Sequence, residues 1–236
     1  MAKAKAAGAK SKWQPLTGGK GYMGVSLDST NHRGEGLSAM VDWVNAHGQF
    51  DQVLIGLSDT LNRHNYARDR GLSLRDAYDL ASRNGDNWLK MNRATLSRLN
   101  MPFDIKRWSY WQKEHAQIIN ENRSQFLNSY ENDPAFCASL DADIAAFLKR
   151  KSPAPDAKTI ASCRNYLIEE LAVYSVILAA YPATVIYPGK QLNCFAYLRD
   201  RQPDNLPKAI GQTGFIRLGI HGLHRPDKAT LQREVA

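Results

Sequence analysis

Short apolar runs alternate with longer stretches of helical spacing along this chain. The apolar runs predict strands at Gly21–Ser26, Gln52–Leu57, Phe103–Trp108, Thr184–Tyr187 and Phe215–Ile220. Apolar residues that recur every three or four positions predict helices over Leu37–Gly48, Thr60–Arg68, Leu74–Leu99, Glu114–Ser129, Asp133–Lys151 and Asp156–Tyr181. This alternation favours an α/β fold, in which helices cover both faces of a parallel sheet. Ligands bind such sheets beyond the carboxyl ends of the strands.

Composition narrows the class of protein. The 236 residues are 43% hydrophobic and 23% charged, which is typical of a globular chain and excludes general disorder. No apolar run is long enough to predict a membrane span. Cys137, Cys163 and Cys194 have no CxxC spacing, so we expect reduced thiols in the cytoplasm, without a disulfide framework or a zinc site.

The net charge of +8 is unevenly distributed. Residues 1–20 carry five lysines, no acidic residue and no apolar signal segment, which predicts a flexible basic arm. We expect one catalytic domain over residues 21–225 and a tail over 226–236. The stretch from Arg83 to Glu114 contains seven basic and three acidic residues, and so carries a net charge of +4. Half of the net charge of the chain therefore lies in this stretch, which indicates an anionic partner.

Two motifs resemble ligand sites but lack the required context. Gly19–Gly24 has the spacing GxGxxG, yet these glycines precede or lie within a strand rather than open a helix. His221 and His224 lack further metal ligands nearby in the sequence, so we interpret them as surface histidines. We therefore expect neither a dinucleotide nor a metal.

A serine ends the first predicted strand, in the segment Gly24-Val25-Ser26. There its hydroxyl can point into the crevice of the sheet, while following main-chain N–H groups can stabilise an oxyanion. The hydrolase pattern GxSxG is absent, because Asp28 occupies the position of the second glycine. A turn or cap residue is the alternative interpretation of Ser26.

Two later segments carry polar groups next to apolar ones. Tyr166 and Glu170 are four residues apart on a predicted helix, so they share one face. A carboxylate in apolar surroundings needs a cation, which could be a substrate ammonium or an internal partner such as Arg164. Tyr187, followed by Pro188, ends a predicted strand and could position protons or fill the core.

Together, these three segments resemble the tRNA-dependent cyclodipeptide synthases, from about Gly21 to Phe195. The resemblance implies a single Rossmann-like domain, similar to the catalytic domain of class I tyrosyl- and tryptophanyl-tRNA synthetases. It implies that Ser26 is the nucleophile, that Tyr166 and Glu170 hold the aminoacyl amine and that Tyr187 is the catalytic tyrosine.

Ser29 and Pro188 indicate the family branch that has a variable residue three positions after the serine and Tyr-Pro after the late strand. The chain departs from the family pattern at Lys20, where histidine is frequent, and at Ala172, where proline is common.

The activity that the resemblance implies is ping-pong acyl transfer from two aminoacyl-tRNAs, through an aminoacyl-serine, to a cyclic dipeptide. No cofactor, metal, membrane or obligate protein partner is implied, and we expect a monomer. The substrate-binding residues are predicted to be Gly24, Val25, Ser29, Leu57 and Pro188.

A basic helix in the stretch from Arg83 to Glu114 resembles the family element that binds the tRNA acceptor stem, which implies contacts with tRNA phosphates. On a continuous helix, Lys90, Arg93 and Arg98 would lie within an arc of about 140°. A solvated charged face is the alternative, and we expect nearby Trp88 to be a core residue.

Two other functions remain open at this stage. A serine esterase or other acyltransferase would need a histidine and an acid that activate Ser26, and the sequence identifies neither. A non-catalytic tRNA-binding module would not need Ser26, Tyr166, Glu170 and Tyr187 to converge.

Overall fold

A computed structural model of the chain describes residues 3–6, 19–47, 49–150 and 155–221. The described residues contain six strands, β1 to β6, at Lys3–Ala6, Gly19–Val25, Phe50–Leu57, Phe103–Arg107, Thr184–Tyr187 and Phe215–His221. The same part of the chain contains eight α-helices, α1 to α8, at Gly34–His47, Arg63–Arg70, Leu74–Leu96, Trp108–Glu114, Ala116–Asn132, Pro134–Leu148, Ala157–Ala180 and Asn193–Arg201. Short 3-10 turns lie at Thr30–His32 and Thr60–Asn62.

The strands form one sheet in the order β1-β6-β5-β2-β3-β4. Strands β2 to β6 are parallel, and β1 is antiparallel to β6. From β2 the chain first moves outward through β3 to β4, and then returns to place β5 on the other side of β2. The strand order therefore reverses between β2 and β5, and such a reversal opens a crevice at the carboxyl ends of the two strands.

Helices cover both faces of the sheet because the strand residues alternate in direction. Met23 and Val25 of β2 pack toward α1 and α3, in a core that includes Trp88. Tyr22 of β2 and Leu54 of β3 pack on the opposite face, in a core formed largely by α4 to α8. Helix α7 runs through this second core, and eleven of its residues are buried.

The predicted α/β fold is confirmed, and the five predicted strands lie within two residues of the observed ones. Trp88 is buried in the core, as predicted. Asp133 begins the predicted helix and caps α6, since its side chain accepts hydrogen bonds from the main-chain N–H groups of Ala135 and Phe136 and Pro134 opens the helix.

The differences lie at short or interrupted elements. The helix predicted over Glu114–Ser129 corresponds to α5, whereas α4 and α8 were not predicted. Strand β1 lies within the segment expected to be a flexible arm, whose remainder to residue 18 is outside the described residues. The predicted tail and His224 also lie outside them.

Candidate active site

A cavity of about 480 Å³ opens at the carboxyl ends of β2 and β5, where the strand order reverses. It is lined by all four predicted catalytic residues, Ser26, Tyr166, Glu170 and Tyr187. Ser26 follows β2 directly, whereas Tyr187 ends the neighbouring β5. Residues more than 100 positions apart in the sequence therefore meet in one site of a size typical for small ligands.

The predicted substrate-binding residues divide into two groups. Gly24, Val25 and Ser29 line the cavity. Leu57 instead packs in the core on the α1 side of the sheet, so its prediction was wrong, and the following residue, Ser58, lines the cavity in its place. Pro188 is buried beside the cavity, and its carbonyl accepts a hydrogen bond from Asn31 Nδ2 at 3.2 Å.

Glu170 belongs to a stripe of cavity-lining residues on α7. Cys163, Tyr166, Leu167, Glu170 and Tyr174 fall within an arc of about 100° on this helix. Tyr174 was missed in the sequence, although it lies one turn beyond Glu170 on the same face. The stripe presents two phenols and one carboxyl to the same space.

The carboxyl of Glu170 has no cation beside it in the described part of the chain. Arg164, the internal partner considered above, stacks over the ring of Tyr130 instead. Burial raises the pKa of Glu170 to about 8, and the negative charge of Asp143 contributes to this increase. The free site therefore holds a largely protonated carboxyl at neutral pH, and a bound ammonium would favour its ionised form.

Asp143 brings α6 and α8 together at the cavity wall. Its Oδ1 accepts hydrogen bonds from the main-chain N and Nδ2 of Asn193, at 2.9 and 2.8 Å, and its Oδ2 accepts one from Cys194 N at 3.0 Å. These contacts satisfy N–H groups in the first turn of α8. They also hold Phe195, which lines the cavity and contacts the ring of Tyr174 edge-on.

Tyr187 and Tyr174 are both protonated phenols in this environment. Burial and the charge of Glu170 raise the pKa of Tyr187 to about 12, and burial raises the pKa of Tyr174 well above its usual value. The hydroxyl of Tyr174 approaches the main chain at Gly24 so closely that a Cβ atom there would lie 2.6 Å from it. Only glycine leaves room for that hydroxyl beside β2.

A second glutamate, Glu169, lies on an adjacent face of α7, and its pKa is shifted in the opposite direction. It accepts five hydrogen bonds, from Arg63 Nη1 and Nη2, His64 Nε2, Trp108 Nε1 and Gln112 Nε2. Burial would raise the pKa of Glu169, but the hydrogen bond from His64 and the charge of Arg63 outweigh burial and hold the pKa at about 2. No pattern in the sequence indicates this network, because its donors come from two helices, α2 and α4, and its acceptor from a third, α7.

The predicted basic surface is only partly present on α3. Lys90 and Arg93 are exposed on this helix. Arg98 lies beyond the end of α3, where it pairs with Asp42 and donates to Ser38 Oγ at 2.7 Å. The prediction that all three lie on one continuous helix was therefore wrong for Arg98, since the helix ends at Leu96.

The described residues provide neither a metal site nor a membrane span. No group of three or more His, Cys, Asp or Glu side chains in these parts of the chain is arranged to hold a metal ion. No helix in the described ranges is long and apolar enough to cross a membrane.

No protein-family model and no curated protein matches this sequence. Solved structures do match it. A structure described as a CDPS from Fluoribacter dumoffii has a TM-score of 0.80 and 23% identity, and the match covers 94% of this chain and 100% of that one. The cyclodipeptide synthase from Candidatus Glomeribacter gigasporarum bound to Phe-tRNAPhe has a TM-score of 0.59 and 20% identity, with 91% and 93% of the two chains covered.

A Mycobacterium tuberculosis protein has a TM-score of 0.63 and 18% identity over 86% of each chain. Its structure is described as demonstrating that cyclodipeptide synthetases are related to type I tRNA synthetases. The fold therefore defines the class: this chain has the α/β fold of the cyclodipeptide synthases, with a cavity at the reversal of its strand order.

Proposed function

We propose that this chain is a tRNA-dependent cyclodipeptide synthase, which joins two aminoacyl groups from aminoacyl-tRNAs into a 2,5-diketopiperazine. The observation that carries the proposal is the convergence of Ser26, Tyr166, Glu170 and Tyr187 on one cavity. Its fold is that of structures described as cyclodipeptide synthases, one of them bound to an aminoacyl-tRNA. Ser29 and Pro188 favour the Tyr-Pro branch of that family.

In the first step, Ser26 Oγ attacks the aminoacyl ester of the first tRNA. A bond forms between Oγ and the acyl carbon, the ester bond to the ribose breaks, and the serine proton ends on the ribose oxygen. Glu170, with the hydroxyl of Tyr166 on the same helix face, receives the α-ammonium of the acyl group. Because the acyl group arrives as an activated ester, this step needs no nucleotide hydrolysis.

In the second step, the amine of the second aminoacyl-tRNA attacks the acyl-serine. A peptide bond forms, the ester to Ser26 breaks, and the dipeptide remains on the second tRNA. Its free amine then attacks its own ester, which closes the six-membered ring and releases tRNA. Tyr187, a protonated phenol at the cavity wall, is suited to positioning the proton in these transfers.

Mass spectrometry of reactions with a pool of charged tRNAs tests this function. We expect cyclic dipeptides from the wild type and an intact-protein mass increase of one aminoacyl group, with neither for Ser26→Ala. Ser124→Ala removes an exposed hydroxyl on α5 and serves as the matched control, which should retain both signals. Equal product from the wild type and Ser26→Ala would reject the nucleophile, and no product from folded wild type would reject the function.

The esterase alternative requires a base at the Ser26 hydroxyl. His32 is close to Ser26, but it contacts the main chain of the serine. Hydrolysis of a simple acyl ester without tRNA, lost in Ser26→Ala, would favour this alternative. The non-catalytic alternative is disfavoured by the convergence of the four residues.

A further inference from the structure

A fully buried histidine lies six residues after the candidate nucleophile and has no part in the steps above. His32 ends the 3-10 turn Thr30–His32, between β2 and α1, and has no exposed surface. A buried imidazole is costly unless its nitrogen atoms make hydrogen bonds. Its contacts therefore indicate what it does.

The Nδ1 atom of His32 lies 3.0 Å from Ser26 N and 3.2 Å from Ser26 O. The shorter contact requires Nδ1 to accept from the Ser26 N–H, which places the ring proton on Nε2, whereas a bond to Ser26 O would require the opposite tautomer; we assign the tautomer that the shorter contact requires. Burial lowers the pKa of His32 to about 4, which is consistent with a neutral ring at physiological pH. The imidazole thus acts as a fixed hydrogen-bond acceptor.

This bond replaces a strand contact that the nucleophile lacks. Strand β2 ends at Val25. The carbonyl of Val25 accepts the last hydrogen bond from the neighbouring strand, donated at 2.8 Å by the N–H of Ser58, which directly follows β3. Ser26 is the first residue beyond the strand, and its N–H is held by a side chain from the following turn. The direction of the Ser26 side chain depends on this main-chain anchor.

The same turn also contacts the other half of the site. The ring of His32 lies 5.4 Å from the ring of Tyr187, and Asn31 Nδ2 donates to Pro188 O at 3.2 Å. On its outer side, Trp88 Nε1 of α3 donates to His32 O at 2.7 Å. The turn is therefore fixed to β2, β5 and α3 together.

We propose that His32 is a positioning residue, which orients Ser26 through its main-chain N–H and sets the separation between Ser26 and Tyr187. The proposal rests on the proposed function for its catalytic consequence. His32 is not a base in this scheme, because its Nδ1 is occupied by the main chain and its Nε2, buried and without a partner among the described residues, carries the proton.

Three substitutions separate positioning from mere packing. Asn carries its oxygen on the γ-carbon, as His carries Nδ1, so His32→Asn retains an acceptor for Ser26 N–H. His32→Gln moves the acceptor one bond farther away, and His32→Leu removes it. We expect Gln and Leu to slow acylation of Ser26 by about 10- to 100-fold, whereas Asn stays within about threefold of the wild type. Affinity for tRNA should remain unchanged in all three.

An equal decrease in the rate of Ser26 acylation in His32→Asn and His32→Gln, or a wild-type rate in His32→Leu, would overturn the proposal. Amide hydrogen exchange at Ser26 tests it independently of activity: protection should persist in His32→Asn and fall in His32→Gln. Nitrogen NMR of the wild type should find Nδ1 unprotonated at pH 7, and a protonated Nδ1 would contradict the bond. If the wild type forms no acyl-enzyme, the proposed function fails, while the exchange and NMR results still decide the role of His32.

Discussion

Two neighbouring glutamates have opposite protonation preferences. The pKa of Glu169 is about 2 and that of Glu170 is about 8, although one peptide bond separates them. Glu169 faces five donors, whereas Glu170 faces a cavity and the negative charge of Asp143. Their roles are therefore set by the helix face on which each lies.

The Glu170 carboxyl should destabilise the free protein at alkaline pH. Its pKa is higher in the folded state than in the unfolded chain, so its contribution to stability is fully present below about pH 4.5 and is lost as the pH rises through about 8. We expect Glu170→Gln to raise Tm by about 5 °C at pH 8.5 and by much less at pH 4.5, while it abolishes cyclic dipeptide formation.

Thermal unfolding between pH 4.5 and 8.5 measures this effect. Glu131→Gln, an exposed change on α5, is the matched control and should leave Tm unchanged at both pH values. A Glu170→Gln variant that is less stable than the wild type at pH 8.5 would show that the carboxylate is stabilised in the free site.

At the scale of single residues, the sequence predicts those site residues whose positions follow from local secondary structure. Ser26, Tyr166, Glu170 and Tyr187 could be selected because strand ends and helical spacing direct them to one crevice. Asp143 and the Glu169 network could not be selected, because their importance depends on which helices meet. Leu57 was placed wrongly because alternation along β3 turns it to the opposite face.

At the scale of elements, α3 contains a glycine that helix propensity would disfavour. A Cβ atom on Gly85 would lie 2.5 Å from Asp59 Oδ2 and 2.8 Å from Arg107 Nη2. Asp59 is fully buried, and it accepts hydrogen bonds from Arg107 Nε at 2.5 Å, from Thr60 N at 2.8 Å and from Trp108 N at 3.3 Å. The glycine thus allows α3 to pack against a carboxylate that anchors the start of α4.

We expect Gly85→Ala to lower the free energy of unfolding by about 1–3 kcal/mol, although alanine is intrinsically the better helix former by about 1 kcal/mol. The buried carboxylate and its arginine would have to shift to admit the methyl group. Urea unfolding measures the change. The control Ala94→Gly, at an exposed position of the same helix, measures the effect of helix propensity alone. An increase in stability for Gly85→Ala would refute the packing argument.

Strands and long helices were predictable because their apolar periodicity is strong. Helix α8 was missed because only two of its nine residues are buried and its first turn is capped from another helix, by Asp143. Helix α4 was missed because it has only seven residues, two of them buried, and its first residue was included in the strand predicted over Phe103–Trp108.

At the scale of the whole molecule, the fold follows from the order of its elements, but the partner surface does not follow from net charge. The net charge of +8 indicates a binding surface only where the fold exposes basic side chains, as it does at Lys90 and Arg93 on α3. Arg98, from the same basic stretch, is paired with Asp42 on α1. An ion pair of this kind depends on how two helices dock, which spacing alone cannot predict.

Replacing Lys90 and Arg93 together by alanine should weaken tRNA binding by about tenfold near 100 mM salt and reduce the salt dependence of binding, because phosphate contacts release counterions. Binding titrations at several salt concentrations measure both quantities. The matched control removes two exposed charges elsewhere, Arg123 on α5 and Lys158 on α7. Equal weakening by the control pair would mean that only total charge matters.

The five donors around Glu169 have a consequence for redesign of this protein. Rotation of α7 by about 100° in one direction would bring Glu169, an ionised carboxylate, to the cavity, and rotation in the other direction would bring Glu170 among the donors of Glu169. The network therefore fixes the rotational setting of α7 from a face next to the one that lines the cavity. Cys163 and Leu167, which line the cavity from the same helix, are accordingly the positions at which the cavity can be reshaped while the helix keeps its setting.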